Sequence, residues 1–217
     1  MKSAPIFLAP RRIMRSPAHA VKRNSISGRP PPSPDISCSA PNQSSSRRAL
    51  PVAYFPHMEN VAIEPATLED LPQLTELLFD LFTLEGDFKP DRAKHMRGLR
   101  LILEQPSRGR IFVVRQDGRI LAMINLLFTI STAEGGFVVL LEDFIVHHDH
   151  RHRGFGDKLM EYSIQFAREK NFLRVTLLTD RLNEEAQKFF KHHGFIDSKM
   201  IPLRMYLQAR PDPEPQL

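Results

Sequence analysis

Arg-His-Arg-Gly-Phe-Gly at positions 151–156 decides the fold, because this turn joins an apolar strand to an amphipathic helix. Residues 138–146 upstream form an apolar run that only Glu142 and Asp143 interrupt, which predicts a strand. Apolar residues between Leu159 and Ala167 recur at helical spacing. Glycines in such a turn let a phosphate approach the backbone N–H groups at the start of a helix. The stretch therefore predicts a pyrophosphate site.

Two common phosphate motifs do not fit this turn. No Gly-Lys-Ser or Gly-Lys-Thr follows the glycines, as a Walker A loop requires, and Leu159 stands where the dinucleotide fingerprint has its third glycine. Arg-x-x-Gly-x-Gly after a strand resembles instead the acetyl-coenzyme A motif of the Gcn5-related N-acetyltransferases (GNAT). A second block agrees with this resemblance, and it contains Asn183, Ala186, Phe189, Phe190, Gly194 and Phe195. The two blocks occur in the family's order, and the resemblance covers roughly Val61 to Leu207.

The order of elements read from the sequence agrees with that family. A short strand at 61–63 precedes a helix that Thr67 caps, and a second helix runs from about Asp91 to Glu104. The further elements are a hairpin turning at 116–119, the strand before the phosphate loop, the loop helix, a strand at 173–178, a helix at 183–191 and a last strand at 203–207. The resemblance implies an α/β fold with a mixed, mostly antiparallel central sheet, helices on both faces and a splayed strand pair that binds acetyl-coenzyme A (acetyl-CoA).

The resemblance also implies which residues hold acetyl-CoA. Backbone groups at the strand end bond the pantetheine arm, the glycine turn binds the pyrophosphate, and the second block contacts the coenzyme. These residues are Phe144, Ile145, Val146, Arg151, His152, Arg153, Gly154, Phe155, Gly156, Asn183 and Phe190. A structural interpretation competes at Asn183, because an asparagine there is a good helix N-cap.

Glu142 is the candidate general base. An amine with a pKa near 10.4 costs about 4.6 kcal/mol to deprotonate at pH 7, and a carboxylate at the site can accept that proton. Leu141-Glu142-Asp143-Phe144 resembles the corresponding strand of spermidine/spermine acetyltransferases. Strand alternation predicts that Glu142 and Asp143 lie on opposite faces, so that only one lines the cleft. The competing interpretation is a surface ion pair between Glu142 and a basic neighbour.

Phe190 departs from the family's pattern. The resembled proteins usually have a tyrosine there, which is thought to protonate the departing thiolate, and phenylalanine has no proton to give. General acid help is worth about 10²–10⁴-fold, so its loss slows catalysis without abolishing it. Two hypotheses therefore stay open: an acetyl-CoA-dependent N-acetyltransferase, or a non-catalytic acyl-CoA-binding or regulatory module.

The expected acceptor is a primary amine on a small molecule or peptide, with a polyamine or an aminoglycoside among the candidates. No metal is expected, because His147, His148, His150 and His152 lie in one short loop whose spacing does not match a zinc signature. The family resemblance also makes a homodimer possible.

Residues 1–57 differ in composition from the rest of the chain. They hold ten of the 18 prolines, nine Lys or Arg residues and one acidic residue, Asp35, which predicts disorder. Of 30 basic and 25 acidic residues, 21 and 24 then remain, so the rest of the chain has a net charge near −3. The basic balance of the whole chain is therefore no evidence that the domain binds nucleic acid, although binding through the tail is a third hypothesis.

Two interpretations of this tail remain open: an organelle transit segment, or an over-extended start ahead of a true start at Met58. The domain is expected at 58–209, followed by a flexible tail at 210–217. No apolar run is long enough to span a membrane, and the one cysteine, Cys38, lies in the tail. A cytoplasmic location is expected, with organelle import as the alternative.

Overall fold

The computed structural model describes residues 53–54, 60–84 and 89–207. Within these residues a six-stranded sheet carries helices on both faces. The strands are β1 (Ala53–Tyr54), β2 (Val61–Pro65), β3 (Gly109–Gln116), β4 (Arg119–Ser131), β5 (Gly136–Val146) and β6 (Val175–Leu177). The helices are α1 (Leu71–Leu84), α2 (Arg92–Leu103), α3 (Phe155–Glu169) and α4 (Glu184–His192). Short 3-10 turns at Leu68–Asp70 and His148–His150 precede α1 and α3.

The strands lie in the sheet in the order of the chain. Neighbours from β1 to β5 are antiparallel: turns join β3 to β4 and β4 to β5, whereas α1 and α2 lie between β2 and β3. β6 is parallel to β5, and α3 crosses over between them. This arrangement confirms the mixed, mostly antiparallel sheet expected from the sequence.

Each face of the sheet has its own apolar core. On one face, α3 and α4 cover side chains such as Phe112, Ile124 and Leu141. On the other face, α1 and α2 cover Val113, Met123 and Ile145. Both sets come from the same central strands, because alternate residues of a strand point to opposite faces.

Ion pairs and caps fix the helices of the second face to the sheet. The Asp70 carboxylate accepts a 2.8 Å hydrogen bond from the Thr67 backbone N–H, which starts the helical segment as predicted. The same carboxylate accepts two bonds from Arg115 on β3, at 2.9 and 3.0 Å, and Arg115 also donates to Glu64 on β2. Asp91 caps α2 by accepting from the Lys94 backbone N–H.

The predicted last strand at 203–207 is wrong. Between Leu178 and Leu207 the structure contains α4 but no strand, and side chains such as Leu203 and Met205 are more than four-fifths exposed. The alternating pattern is present, but alternation makes a strand only where an edge offers backbone partners. β6, the nearest strand in the chain, is only three residues long.

The other end of the sheet begins earlier than predicted. Ala53 and Tyr54 pair with Ile63 and Ala62 of β2, although they lie inside the segment predicted to be disordered. The remainder of 1–57 and the predicted tail at 210–217 lie outside the described residues. Among the described helices, none is both long and apolar enough to cross a membrane.

Candidate functional site

The two halves of β5 have different neighbours. Val139, Leu140 and Leu141 pair with β6 on one side and with β4 on the other. From residue 142 to Val146 the strand continues along β4, while β6 has ended at Leu177. This half of β5 therefore has no strand on its β6 side among the described residues. An extended ligand can pair with such an edge in the way that an added strand does.

A bulge begins this open half. Leu126 pairs with Leu141 and Asn125 pairs with Asp143. Glu142 is therefore an extra residue that has no paired residue on β4. The prediction that Glu142 and Asp143 lie on opposite faces assumed regular alternation, and the bulge breaks that alternation. Glu142 is exposed, whereas Asp143 is only 9% exposed.

Asp143 forms a buried polar pair with Asn125. The Asn125 amide donates a 2.8 Å hydrogen bond to an Asp143 carboxylate oxygen. Burial is the main cause that raises the pKa of Asp143 to about 6; the Asn125 hydrogen bond opposes this rise, and the nearby charge of Glu142 adds to it. The amide oxygen of Asn125 is buried without a protein partner, and a protonated Asp143 is the kind of donor it lacks.

The loop after β5 is tied back to the strand ends. The His147 backbone N–H donates to the Leu121 carbonyl oxygen at 2.8 Å, and the Arg151 Nε donates to the Val146 carbonyl oxygen at 3.1 Å. His152 has a φ of +57° and Gly154 a φ of +77°, so the loop passes twice through the left-handed region that favours glycine. The side chains of Arg151, His152 and Arg153 are exposed.

α3 begins directly over the open half of β5. Phe155 is buried in the core, and a Cβ added to Gly156 would stand 3.4 Å from the Phe144 ring and 3.5 Å from the Val146 side chain. The first turn of this helix leaves backbone N–H groups without helical acceptors, beside two exposed guanidinium groups. This combination can hold a polyphosphate.

The second block lies on α4, and its residues have structural partners. The Asn183 side-chain oxygen accepts from the Ala186 backbone N–H at 3.0 Å, which is the N-cap role expected of it. Phe190 is 9% exposed and lies in an aromatic cluster with Phe144, Phe189 and Phe195. The Phe189 ring stacks on that of Phe144, with centroids 5.2 Å apart. The block thus packs α4 against the open half of β5.

Tyr162 and His193 each carry a proton that a thiolate can accept, and they lie in different places. The Tyr162 ring packs edge-on against Phe112, and burial raises its pKa. His193 ends α4, with Nε2 3.2 Å from an Asp157 carboxylate oxygen at the start of α3. His193 therefore joins the two helices that flank the open edge.

Sequence reasoning missed Asn125 and the contribution of α1. Asn125 was visible as one amide inside the apolar run of β4, and a buried amide requires a partner. Asp80 of α1 lies near His147 and His148, but no local pattern connects residues so far apart in the chain.

The profile of the Acetyltransferase (GNAT) family matches residues 71–195. The match covers more than half of the chain, so the chain belongs to this acetyltransferase family. The bulged strand, the glycine loop and α4 all lie within the matched region.

Individual relatives agree with this assignment. Streptothricin acetyltransferase A of Bacillus subtilis (strain 168) is 37% identical over 57 residues, which cover 26% of this chain and 33% of that protein. A possible acetyltransferase from Clostridium difficile 630 superposes with a TM-score of 0.64 at 16% identity, covering 70% of this chain and all of the other.

Two aminoglycoside acetyltransferases also share the fold. An enzyme from an uncultured soil metagenomic sample, solved with sisomicin, has a TM-score of 0.57 at 22% identity and covers 69% of this chain and 97% of its own. Aminoglycoside N-acetyltransferase AAC(6')-Iy, solved with CoA, has a TM-score of 0.59 at 18% identity and covers 71% and 100%. At these identities the similarity establishes the fold.

Proposed function

We propose that this protein transfers an acetyl group from acetyl-CoA to a primary amine of a small molecule, with Glu142 as general base. The observation that carries the proposal is the position of Glu142. It is the extra residue of a bulge, exposed, at the point where β6 leaves the edge of β5 free. Bulges recur beside active sites because they redirect a side chain.

The open half of β5 and the loop after it fit acetyl-CoA. Backbone groups of Phe144, Ile145 and Val146 would pair with the amides of the pantetheine arm. The loop from Arg151 to Gly156 and the N-terminus of α3 would hold the pyrophosphate, with His152 and Arg153 at its exposed rim. Bound acetyl-CoA supplies an activated thioester.

Glu142 has two tasks in this proposal. Its carboxylate attracts the protonated amine, and it then accepts one proton, directly or through water, so that the nitrogen lone pair becomes free. Deprotonating an amine of pKa 10.4 at pH 7 costs about 4.6 kcal/mol, which is the part of the barrier that Glu142 addresses.

The acetyl transfer exchanges a carbon–sulfur bond for a carbon–nitrogen bond. The amine nitrogen forms a bond to the acetyl carbon, the carbon–sulfur bond breaks, and the electron pair leaves on sulfur. A backbone N–H of the 144–146 stretch stabilises the negative charge that develops on the thioester oxygen. The nitrogen loses its second proton as the amide forms, and water carries that proton to the thiolate, because the buried Phe190 has no hydroxyl to donate. A thiol with a pKa near 8.5 is a fair leaving group without further help.

The substrate class is proposed from the relatives. Streptothricin acetyltransferase A and the aminoglycoside acetyltransferases are named for compounds that carry several amines. We therefore infer a small polycationic amine as acceptor, with polyamines as the second class because of the 141–144 strand similarity.

The test follows free thiol released by the full-length protein with acetyl-CoA and three groups of amines: streptothricins, aminoglycosides and polyamines. Release that depends on the amine is expected with one group. Glu142→Gln should lower kcat by about 10²–10⁴-fold and leave coenzyme affinity unchanged. Glu161→Gln, an exposed carboxylate on α3, is the matched control and should leave turnover unchanged.

Two results would contradict the proposal. If Glu142→Gln kept full activity, Glu142 would not be the general base. Tight coenzyme binding without thiol release across the panel would favour the binding module instead, for which the buried Phe190 is the supporting observation.

A further inference from the structure

A cluster of metal-binding side chains lies outside the proposed acetyl-transfer site. Asp80 of α1, His147 and His148 each offer a donor atom, and these three atoms lie within 4.8 Å of one another. His147 and His148 directly follow β5, so the cluster joins α1 to the start of the phosphate loop. No step of the proposed transfer uses any of these three side chains.

Two members of the cluster, Asp80 and His147, line a cavity of about 350 Å³ between α1, the start of β4 and the loop. Three carboxylates, from Glu76, Asp80 and Asp149, line this cavity together with one guanidinium, from Arg119. The Glu76 carboxylate is paired with Arg92 at 2.7 Å, so the carboxylates of Asp80 and Asp149 face the one guanidinium of Arg119, and this excess of negative charge favours a cation. The cavity is wide enough for an ion with water ligands beside the protein donors.

The donor types select the class of ion. Two imidazole nitrogens and a carboxylate oxygen suit Zn²⁺ and its transition-metal neighbours, whereas Mg²⁺ and Ca²⁺ prefer oxygen donors alone. Zinc bonds to such atoms are about 2.0–2.2 Å long, so tetrahedral ligands lie about 3.4 Å apart. The distances between the three donor atoms, which are at most 4.8 Å, must therefore shorten by about 1.4 Å or less when the ion binds. His148 can make that adjustment by rotation, because its side chain is 64% exposed.

Contacts among the ligands hold them near one another. The rings of His147 and His148 stack with centroids 4.3 Å apart. An Asp149 carboxylate oxygen lies 3.3 Å from Nε2 of His148, and the other lies 3.9 Å from Nδ1 of His147. A carboxylate beside a metal-binding histidine orients the ring and increases its basicity.

We propose that Asp80, His147 and His148 bind a divalent transition-metal ion of the Zn²⁺ class, with water completing the coordination. The ion would connect α1 to the loop that continues into Arg151. The expectation of no metal rested on the loop histidines, which lie in one short loop with a spacing unlike a zinc signature, and it did not include the carboxylate of Asp80.

The test uses full-length protein carrying Cys38→Ser, which removes the chain's one thiol as a competing ligand. After chelator treatment and desalting, ZnCl₂ is titrated into the protein by calorimetry. One ion per chain is expected, and His148→Ala or Asp80→Asn should weaken binding at least tenfold. His192→Ala, which removes an exposed histidine of α4, is the matched control and should bind as the parent does.

Two further measurements locate the ion. Co²⁺ in place of Zn²⁺ should give visible absorption bands that disappear in Asp80→Asn. Zn²⁺ should raise the Tm of the parent and not that of Asp80→Asn, and neither readout needs coenzyme or turnover. The proposal is overturned if the parent binds no Zn²⁺, or if His148→Ala and Asp80→Asn bind it as tightly as the parent, because other side chains would then hold the ion.

Discussion

The first and second halves of β5 share one strand but differ in what surrounds them. The first half, up to Leu141, lies between β4 and β6, and its inward side chains are apolar and buried. The second half keeps β4 and lacks β6, and it carries Glu142, the buried Asp143 and the turn into the phosphate loop. Fully paired backbone supports the fold, whereas backbone with one free edge is available to a ligand.

This difference also separates two kinds of carboxylate. Glu142 is exposed where the pairing changes, and Asp143 is buried one residue later beside Asn125. One bulge therefore supplies a hydrated carboxylate and a desolvated one within two residues. Substitutions in each half should affect different properties of the protein.

The largest effect on stability is expected in the first half of β5, which is paired with a strand on both sides. Leu141→Ala removes a side chain that is 3% exposed in the core under α3, and it should lower the free energy of unfolding by about 2–5 kcal/mol. Glu142→Ala, at the next position, is exposed and should change that free energy by about 0.5 kcal/mol or less. Urea unfolding of both variants measures the contrast. Equal losses would show that the two halves do not differ.

Asp143→Asn should make the protein more stable at high pH. The folded pKa of Asp143, about 6, lies above the ordinary value of 3.8, so its stabilising effect is complete below pH 3.8 and is lost as the pH rises through 6. The amide has no charge to desolvate, so at pH 8 the variant should gain on the order of 3 kcal/mol at most. It can also donate to the Asn125 oxygen.

Unfolding free energies of parent and Asp143→Asn between pH 4.5 and 8 test this expectation. The parent's stability should fall across pH 6 relative to that of the variant. The exposed Asp197→Asn should keep the parent's slope. A variant that is less stable than the parent at pH 8 would mean that the charged carboxylate is favoured in the folded protein.

Arg151→Ala should weaken coenzyme A binding by about tenfold. The substitution removes a cation from the phosphate loop and the Nε hydrogen bond to the Val146 carbonyl oxygen. Arg151→Lys keeps the charge without the planar donors, so its affinity should be intermediate. Calorimetric titration with coenzyme A measures both, and Arg181→Ala, exposed in the loop before α4, should bind like the parent. Unchanged affinity in Arg151→Ala would contradict the phosphate-loop assignment.

The smallest effect is expected for glycine to alanine changes. Gly154 has a φ of +77°, where alanine is strained, so Gly154→Ala should destabilise the protein by about 1 kcal/mol. Gly98 lies inside α2 with open space around its Cα, and Gly98→Ala should stabilise by about 0.4–1 kcal/mol. Thermal unfolding should therefore shift in opposite directions, and shifts of the same sign would refute the conformational explanation.

Local patterns predicted the parts of the fold that depend on local physics. The helices from Leu71 and Arg92, the hairpin before β4 and the loop helix follow from spacing, caps and turn residues. The bulge at Glu142 was not predictable, because it depends on how β4 aligns with β5 and not on either strand alone. The strand proposed at 203–207 failed for a related reason, since a pattern of alternation cannot supply the edge it would pair with.

The candidate site divides in the same way. The glycine loop was visible as a motif, and the Asn183 cap could be foreseen from residue type. The pairing of Asp143 with Asn125 and the approach of Asp80 to His147 required the three-dimensional arrangement. Residues distant in sequence meet through the sheet, and a single sequence carries no local signal for such meetings.

The bulge also determines how this strand can tolerate the insertion or deletion of one residue during evolution. If residue 142 is deleted, Leu141, Asp143 and Phe144 alternate between the two faces of the sheet without interruption. Their partners on β4 are then the consecutive residues Leu126, Asn125 and Ile124. The sheet thus needs one residue fewer than β5 provides. Gain or loss of a single codon would then add or remove the Glu142 carboxylate while every neighbour kept its partner.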